Sequence, residues 1–267
     1  MKVVLFCGGQ GMRLREFSEN IPKPMVPIGY RPILWHLMKY YAHYGHKDFI
    51  LALGYKADSI KDYFLNYDEC LSNDFVLEGR IGKPTLLHRD IEDWKITFVD
   101  TGPLSNIGQR LRAVRKHLDG EDVFLANYAD GLSDVPLPSL IERHKRSGNV
   151  ATFLCVSPAQ SFHSVTLEKD GHVSGICDLS HSGVNINGGF FAFRKEIFDY
   201  MREGEELVHE PFQRLIEVRQ LMAFPYPGFW ASMDTFKDKQ MLEDLHAKGN
   251  APWEIWARKD LEEKIYA

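Results

Sequence analysis

A glycine-rich turn near the start of the chain is the first segment whose residue types suggest chemistry. A short apolar run at residues 3–7 is followed by Gly8, Gly9 and Gly11, with Arg13 just beyond them. Glycines let backbone amides approach a ligand closely, and consecutive amides can cradle phosphate oxygens. The turn is not a P-loop, because no Gly-Lys-Ser/Thr follows, and it lacks the third glycine of the dinucleotide fingerprint. Taken alone, it indicates either a phosphate-binding loop or an ordinary tight turn.

A stiffened lysine lies ten residues further along the chain. Lys23 stands between Pro22 and Pro24, and the two rings hold this segment extended because proline restricts both itself and the residue before it. A lysine fixed in this way suits a phosphate contact, although a solvated loop lysine has the same local sequence. The glycine turn and the lysine together predict a polyphosphate ligand.

Aspartates at element ends are the candidate metal ligands. A polyphosphate at neutral pH is usually bound with Mg²⁺, which takes one or two carboxylates in addition to the phosphates. Asp130 closes an apolar, strand-like run, and Asp234 lies immediately before the last long helical pattern. The structural alternatives are an Asp-Gly turn for Asp130 and a helix N-cap for Asp234. Asp100, Asp134 and Asp178 are weaker candidates, for which loop or capping roles are expected.

Other reactive residue types form no recognisable constellation. Arg110 and Arg112 lie near the start of a helical pattern, where they either reach a triphosphate or lie solvated on the helix surface. His36, His43 and His46 have no metal-ligand spacing, so we expect surface or core roles for them. No serine, cysteine or histidine arrangement of a covalent catalyst is present.

Short β-branched or aromatic runs alternate with helical patterns along most of the chain. This rhythm indicates repeated βαβ units, and hence a mainly parallel sheet wrapped by helices with ligands beyond the carboxyl ends of the strands. A hairpin turning at Asp170-Gly171 is predicted for residues 165–176, and one domain is expected for residues 1–267. The predicted strands are residues 3–7, 49–53, 96–99, 123–125, 151–156 and 190–193, and the predicted helices are residues 32–44, 59–67, 111–118, 138–146, 195–201, 210–217 and 234–248.

Composition excludes several classes of protein. The formal net charge is -5 and the pI is near 6.1, so nucleic acid is not an expected partner. No apolar run approaches the roughly 20 residues of a membrane helix, and the N-terminal sequence lacks signal-peptide features. We therefore expect a soluble, cytoplasmic protein. The four scattered cysteines form no CxxC pair and are expected to be reduced thiols: Cys7, Cys70, Cys155 and Cys177.

These motifs, taken in order, resemble the bacterial glucose-1-phosphate cytidylyltransferases. The resemblance spans nearly the whole chain. The matching segments are Gly8 to Arg13, Pro22 to Val26, Pro32 to His36, Tyr55-Lys56, Asp100 to Gly102, Asp130 to Asp134, Ile186 to Phe191, Gly228 to Trp230, Met233 to Thr235 and Ala251 to Trp253.

The resemblance implies a fold, a reaction and partners. The fold would be an α/β, Rossmann-like nucleotidyltransferase fold, in which helices flank a mainly parallel mixed sheet that carries a small β-hairpin appendage. The reaction would use CTP and Mg²⁺, and a phosphorylated small-molecule acceptor, such as a sugar phosphate, would attack the α-phosphorus and release pyrophosphate. A homo-oligomer is also implied.

Site residues follow from the resemblance position by position. Arg13 and Lys23 would be catalytic, Asp130 and Asp234 would hold the metal, and Asp178, Asn187 and Gly188 would face the acceptor. The residues that would bind the nucleotide are Phe6, Cys7, Gly8, Gly9, Gln10, Gly11, Met12, Arg13, Lys23, Ile107, Arg110 and Ala129.

Departures from the family pattern cluster where ligand identity is determined. Met12 replaces a threonine, Ile107 to Arg110 replaces Thr-Gly-Gly-Arg, and Ala129 replaces the first glycine of Gly-Asp-Gly. With these changes, some of the hydroxyl and close-backbone contacts to the nucleotide that the resemblance implies are lost or replaced. The same chemistry with another nucleoside triphosphate is therefore an alternative to CTP.

The acceptor motif departs most clearly. The family has Glu-Lys-Pro where this chain has Cys177-Asp178-Leu179, and the family's lysine meets the sugar phosphate. An aspartate in that place predicts weaker binding of glucose 1-phosphate. We expect a different acceptor, for example one carrying a positive group, or another residue that supplies the charge. A non-catalytic nucleotide-sugar sensor is the remaining alternative, and the retained Arg13 and Lys23 argue against it.

Overall fold

A central sheet organises the part of the chain that the structure describes. The structure is a computed structural model, and it describes residues 1–9, 21–79, 82–158 and 162–257. The strands in chain order are β1 (Val3–Phe6), β2 (Pro27–Ile28), β3 (Arg31–Pro32), β4 (Asp48–Leu53), β5 (Phe75–Val76), β6 (Thr85–Leu86), β7 (Lys95–Asp100), β8 (Val123–Asn127), β9 (Gly131–Ser133), β10 (Ala151–Val156), β11 (His163–Leu167), β12 (Val173–Asp178), β13 (Ile186–Arg194), β14 (Leu221–Pro225) and β15 (Trp230–Ser232).

Helices follow most of the strands, as the alternating sequence pattern predicts. None of the helices in the described ranges is long and apolar enough to cross a membrane. The α-helices are α1 (Ile33–His43), α2 (Ala57–Leu65), α3 (Ile107–Val114), α4 (Leu137–Ser147), α5 (Glu210–Glu217) and α6 (Phe236–Ala247). Shorter 3-10 helices span Lys23–Met25, Glu69–Leu71, Arg115–His117, Leu179–His181 and Lys195–Tyr200.

The main sheet is mixed but mostly parallel. Seven strands lie in the order β14-β10-β13-β8-β1-β4-β7. Strand β1 runs parallel to β4 and β8, β4 runs parallel to β7, and β10 runs parallel to β14. Strand β13 is antiparallel to both of its neighbours, β8 and β10. The predicted mainly parallel mixed sheet is therefore confirmed, and the carboxyl ends of its parallel strands share one edge.

Both faces of the sheet are buried. Because successive side chains of a strand point to opposite faces, Val3 and Leu5 of β1 pack in one hydrophobic cluster, while Val4 and Phe6 pack in another. The first cluster includes residues of α1 and α4, and the second includes residues of α3 and α5. Helices on both faces leave the strand ends as the place where ligands can reach the sheet.

The predicted appendage is present as a two-stranded hairpin. Strands β11 and β12 are antiparallel, with Val165 opposite Ile176. The turn contains Gly171 at φ 91°, a backbone conformation that favours glycine. This hairpin connects β10 to β13, beside the carboxyl end of β10.

Two helix starts differ from the sequence prediction. Helix α3 begins four residues earlier than predicted, because Asn106 and Gln109 form a reciprocal capping box before it. Helix α6 begins at Phe236 with Thr235 as its N-cap. The alternative interpretation of Asp234 as the N-cap residue is therefore wrong, since its neighbour takes that role.

Of the predicted helices, the one at residues 195–201 is a 3-10 helix, Lys195–Tyr200, and not an α-helix. Strand β14 and the short ladder of β9 and β15 were not predicted. Strand β14 extends the parallel sheet beyond β10. The β9–β15 ladder places Gly131 opposite Ser232, which brings the two segments that carry Asp130 and Asp234 side by side.

Candidate active site

A lysine bridging two aspartates marks the centre of the candidate site. Lys23 Nζ lies 2.6 Å from Asp130 Oδ2 and 2.8 Å from Asp234 Oδ1. The three residues come from the 3-10 turn after Pro22, the segment that follows β8 and the segment before α6. The structure therefore brings together three of the predicted site residues that are far apart in sequence.

The lysine is positively charged in this setting. Its side chain is only 13% exposed, and burial lowers the pKa of an ammonium, but the ion pairs and hydrogen bonds with Asp130 and Asp234 outweigh burial and raise the pKa of Lys23. The two carboxylates are more open, at 28% and 27% exposure. A ligand can therefore reach the carboxylates without unfolding the site.

A residue in an unusual backbone conformation positions Asp130. Ala129 is buried and has φ 64°, a region that non-glycine residues rarely adopt. Its amide donates a hydrogen bond to Asn127 Oδ1 at 2.9 Å, which holds the tight turn after β8. The amide of Met233 donates to the Asp130 carbonyl at 2.9 Å, so the Asp130 and Asp234 segments are fastened to each other.

Asp234 is oriented by its own neighbours. Ser232 Oγ donates to Asp234 Oδ2 at 2.8 Å, so that the other carboxylate oxygen, Oδ1, faces Lys23. The Asp234 amide donates to Asp238 Oδ2 at 3.1 Å, and the same Asp238 closes the capping box with Thr235. The start of α6 thereby fixes the direction of the carboxylate.

The two carboxylates fit a hard cation. One oxygen of each converges on a single point, the Lys23 ammonium, and Mg²⁺ prefers carboxylate oxygens with the remaining positions filled by phosphates and water. In the described ranges, no group of three or more His, Cys, Asp or Glu side chains forms a complete metal cage. The donor set therefore suits a metal that arrives with phosphates.

An arginine ties the glycine turn to two neighbouring strands. Arg110 Nη1 donates to the Leu53 carbonyl at 3.0 Å, to Thr101 Oγ1 at 2.7 Å and to the Gly102 carbonyl at 2.9 Å. Its Nη2 donates to the Gly8 carbonyl at 2.9 Å. The guanidinium thus joins the segments at the carboxyl ends of β1, β4 and β7.

This arrangement explains two glycines. A Cβ at Gly8 or at Gly54 would clash with the guanidinium of Arg110. Arg110 is only 2% exposed, so it contacts Gly8 from the interior of the protein. A direct contact between Arg110 and a nucleotide stays a prediction.

The other residues predicted to bind the nucleotide differ in how far they are exposed. Phe6 and Cys7 are buried and Gly9 is exposed, and burial raises the pKa of the Cys7 thiol. The Ile107 amide, at the start of α3, donates to Glu206 Oε2 at 3.2 Å. Gln10, Gly11, Met12 and Arg13 lie outside the described residues.

The predicted acceptor residues Asn187 and Gly188 line a small cavity next to the carboxylates. The cavity has a volume of about 240 Å³, and its walls also include Tyr128, Asp130 and Trp230. Asn187 Nδ2 donates to the Tyr128 hydroxyl at 3.2 Å. Trp230 Nε1 donates to the Gly188 carbonyl at 2.8 Å. These bonds hold a polar recess beside the candidate metal ligands.

Asp178 does not line this cavity. It ends strand β12 of the hairpin, with its side chain 64% exposed. Asp178 Oδ1 lies 3.3 Å from His163 Nε2, and Asp178 Oδ2 lies 3.9 Å from His181 Nδ1. A role of Asp178 at the acceptor stays a prediction, and in this structure its partners are histidines.

Comparison with known proteins identifies the family. The nucleotidyl transferase family model matches residues 2–238 of the chain. The chain belongs to the nucleotidyl transferase family. Among curated relatives, this nucleotidyl transferase is 40% identical to the glucose-1-phosphate cytidylyltransferase of Salmonella typhi over 258 residues, which covers 96% of the chain and 100% of the relative.

Further relatives include both a cytidylyltransferase and a guanyltransferase. The probable glucose-1-phosphate cytidylyltransferase of Bacillus subtilis is 37% identical, over 96% of the chain and 100% of the relative. A mannose-1-phosphate guanyltransferase of Pichia angusta is 27% identical, over 92% of the chain and 63% of the relative. The resemblance to the cytidylyltransferases is therefore confirmed, and nucleotidyl transfer to a sugar phosphate is the reaction class of these relatives.

Solved structures agree on the fold. HddC from Yersinia pseudotuberculosis has a TM-score of 0.64 at 22% identity, with 91% of this chain and 98% of that chain covered. A UDP-glucose pyrophosphorylase complexed with UDP-glucose has a TM-score of 0.67 at 15% identity, with 93% and 98% covered. The Rossmann-like nucleotidyltransferase fold predicted from the sequence is confirmed.

Sequence reasoning missed three residues that shape the site of this nucleotidyl transferase: Tyr128, Trp230 and Ser232. Ser232 precedes Asp234 by two residues, a spacing that places both side chains on one side of an extended segment, and this was the available signal. Trp230 and Tyr128 act through contacts with Gly188 and Asn187. No local sequence pattern reveals such contacts between distant segments.

Proposed function

We propose that this protein transfers CMP from CTP to a phosphorylated acceptor other than glucose 1-phosphate and releases pyrophosphate. The observation that carries the proposal is the convergence of Asp130, Asp234 and Lys23 at the carboxyl edge of the sheet, in a chain of the nucleotidyl transferase family. The cytidylyltransferase names of the relatives at 37–40% identity support CTP as the donor.

The reaction is a direct displacement at phosphorus. An oxygen of the acceptor phosphate bonds to the α-phosphorus of CTP, and the bond from that phosphorus to the bridging oxygen breaks. Pyrophosphate departs with the electron pair, so atoms and charge balance without a covalent enzyme intermediate. The acceptor phosphate is already ionised near neutral pH, so no general base is required.

The enzyme contributes positioning and charge. Lys23 donates to Asp130 and Asp234 in this structure; when these carboxylates hold a cation instead, its ammonium would donate hydrogen bonds to phosphate oxygens as negative charge moves toward the leaving group. Arg13 is the second proposed cation. Arg110 donates to the Gly8 carbonyl and would hold this residue in place beside the nucleotide.

A divalent cation belongs to the same proposal. Asp130 and Asp234 would hold Mg²⁺, which supplies neutralisation of the phosphate charges when it is bound. Ser232 and the Asp238 cap keep Asp234 aimed at the common point, and the turn at Ala129 does the same for Asp130.

The exclusion of glucose 1-phosphate rests on Asp178. Where the family has a phosphate-contacting lysine, this chain has a carboxylate that is paired with two histidines on the hairpin, so the contact that the resemblance implies for glucose 1-phosphate is missing and the acceptor must gain its affinity from other groups. The acceptor therefore reaches the reacting centre along the recess at Asn187 and Gly188 without a lysine at that point.

The test is pyrophosphate release with Mg²⁺ and each of CTP, UTP, GTP and dTTP, across a panel of sugar 1-phosphates and small phosphomonoesters. The proposal expects turnover with CTP and an acceptor other than glucose 1-phosphate. Robust turnover of glucose 1-phosphate beside failure of every other acceptor would contradict the acceptor assignment. Preference for another triphosphate would contradict the donor assignment. Nucleotide binding without pyrophosphate release from any acceptor would indicate a sensor.

A further inference from the structure

A second and larger cavity adjoins the small polar one. Its volume is about 630 Å³, and it lies beyond the carboxyl ends of the parallel neighbours β10 and β14, where Val156 and Tyr226 begin its wall. Trp230 and Ser232 line both cavities. A ligand that reaches the carboxylates through the small cavity therefore has this second space next to it, along Trp230 and Ser232.

The wall of the larger cavity has the chemistry of a ring-binding site. Three aromatic residues, Tyr226, Phe229 and Trp230, and the apolar side chains of Val156 and Met241 form much of it. Binding pockets for small molecules typically have volumes of about 300–1,000 Å³ and are mostly apolar with a few polar groups. The larger cavity falls within this range, and the small one, at about 240 Å³, falls below it.

The polar groups of this cavity include Ser180 and His181. They belong to the 3-10 turn Leu179–His181 that follows the hairpin strand β12. Asp178 lies between His163 and His181, at 3.3 Å and 3.9 Å from their nearest ring nitrogens. The carboxylate lies near the His181 ring, so the end of the hairpin and the wall of the larger cavity are neighbours.

We propose that the larger cavity binds the part of the acceptor beyond its phosphate-bearing ring, and that this part is a second sugar ring. The inference rests on the proposed function, because it takes the small cavity as the place of the acceptor phosphate. A pyranose has an apolar C–H face, which packs on aromatic rings, and hydroxyls at its edge, which bond to Ser180 and His181. The acceptor is then a disaccharide phosphate rather than a hexose phosphate.

Steady-state kinetics with two probes test this assignment. Glucose 1-phosphate and maltose 1-phosphate differ by one sugar ring, and kcat/KM with CTP and Mg²⁺ is measured for both. We expect the wild-type enzyme to favour the disaccharide probe by at least ten-fold. Met241→Trp fills the larger cavity from α6 and should reduce this ratio at least ten-fold. Gln240→Trp, at a neighbouring exposed position whose amide bonds to Asp244, is the matched control and should keep the wild-type ratio.

A polar variant provides an independent measurement. His181→Ala should raise KM for maltose 1-phosphate at least five-fold, with little change in kcat and in KM for CTP. The control is His172→Ala, because His172 forms a similar pair with Asp170, at 3.1 Å, at the far end of the same hairpin. The control should leave both probes unaffected.

Outcomes that contradict the inference differ from those that contradict the proposed function. If the wild-type enzyme releases pyrophosphate but favours the monosaccharide, or if Met241→Trp and His181→Ala leave the probe ratio unchanged, the second-ring subsite is wrong. If the wild-type enzyme releases no pyrophosphate with any acceptor and triphosphate, the proposed function itself is wrong. Melting temperatures near that of the wild type exclude misfolding of the Trp variant as the cause.

Discussion

Lys23 occupies the point where the carboxylates of Asp130 and Asp234 converge. Among contacts between single residues, this one defines the candidate site. The three charged groups stabilise one another, since removal of the ammonium or of a carboxylate leaves a partly buried charge without its partner. The same geometry suits the proposed binding of phosphates and a cation, because both the positive and the negative groups are already in place.

The carboxylates give the first prediction. Asp130→Asn and Asp234→Asn should each lower kcat by about 10²-fold or more, because each loses a charge that faces the reacting phosphates. The measurement is pyrophosphate release at saturating CTP. Asp122→Asn is the control, since Asp122 is 86% exposed and pairs with Lys195 at the surface. Near wild-type kcat in either site variant would exclude the proposed metal ligands.

The lysine gives a second prediction. Lys23→Met should abolish most activity and yet increase the affinity of the nucleotide-free protein for Mg²⁺, because the ammonium no longer competes for Asp130 and Asp234. Isothermal titration with Mg²⁺ alone is the measurement. Lys195→Met removes a surface lysine and should bind Mg²⁺ as the wild type does. Equal Mg²⁺ affinity in Lys23→Met and wild type would show that the carboxylates are not the cation site.

At the scale of elements, Arg110 joins the carboxyl ends of three strands. Helix α3 carries this arginine in its first turns, and the capping box at Asn106 fixes where the helix begins. The guanidinium therefore reaches the Gly8, Leu53 and Gly102 carbonyls at once. A planar group with several donors is required for this arrangement, and a lysine cannot reproduce it.

A third prediction follows. Arg110→Lys should destabilise the fold by at least about 2 kcal/mol, since buried carbonyls lose charged hydrogen-bond donors, and should raise KM for CTP more than it lowers kcat. Arg112→Lys is the control on the same helix, because Arg112 also donates to a carbonyl, that of Met201 at 2.7 Å, away from the site. The measurements are urea unfolding and steady-state kinetics. Unchanged stability and KM would contradict the positioning role.

The elements themselves were largely predictable. Strands β4 and β10 and helices α1 and α5 agree with the apolar periodicity to within one residue. The start of α3 was misplaced although its capping box is visible in the sequence as Asn106 and Gln109. Strand β14 escaped notice although its residues are apolar, because a run of four residues that ends at Pro225 is too short to be distinguished from a loop by its sequence pattern.

The sequence predicted which residues belong to the candidate site but not how they contact one another. Lys23, Asp130 and Asp234 stand out by their local sequence, while the bridge between them depends on three segments that meet only in the folded chain. Arg110 was expected near a triphosphate, whereas its partners here are carbonyls. Contacts of this kind arise from tertiary packing, which local propensity does not determine.

At the scale of the whole molecule, buried histidines make the fold sensitive to acid. His144 belongs to α4 and faces β10, where its Nδ1 is 2.9 Å from Thr152 Oγ1. Burial lowers the pKa of His144 to about 4, and that of His36 likewise to about 4. Unfolding exposes these rings to an ordinary pKa of about 6.5. The stability they contribute is therefore present above pH 6.5 and is lost as the pH falls toward 4.

The fourth prediction concerns this loss. Between pH 7 and pH 5 the free energy of unfolding should fall by about 2 kcal/mol for His144 alone. His144→Gln removes the titrating ring and keeps an amide for Thr152, so this variant should lose about 2 kcal/mol less than the wild type over the same range. Urea unfolding at the two pH values is the measurement. His172→Gln, on the exposed hairpin, should behave as the wild type, and parallel pH curves for His144→Gln and wild type would contradict the prediction.

Strand β13 runs against its neighbours, and this reversal separates two parts of the molecule. Gly8 and Asp130 follow strands, whereas Asn187 and Gly188 lie at the start of β13, so the chain passes the proposed acceptor side on its way into the sheet. The hairpin and the turn at His181 lie in the connection just before that point. Changes in the length or sequence of this connection would alter the surroundings of the proposed acceptor site without moving the strands that carry Asp130 and Gly8. In the proposed function, the acceptor could therefore change in evolution while the nucleotide side stays as it is.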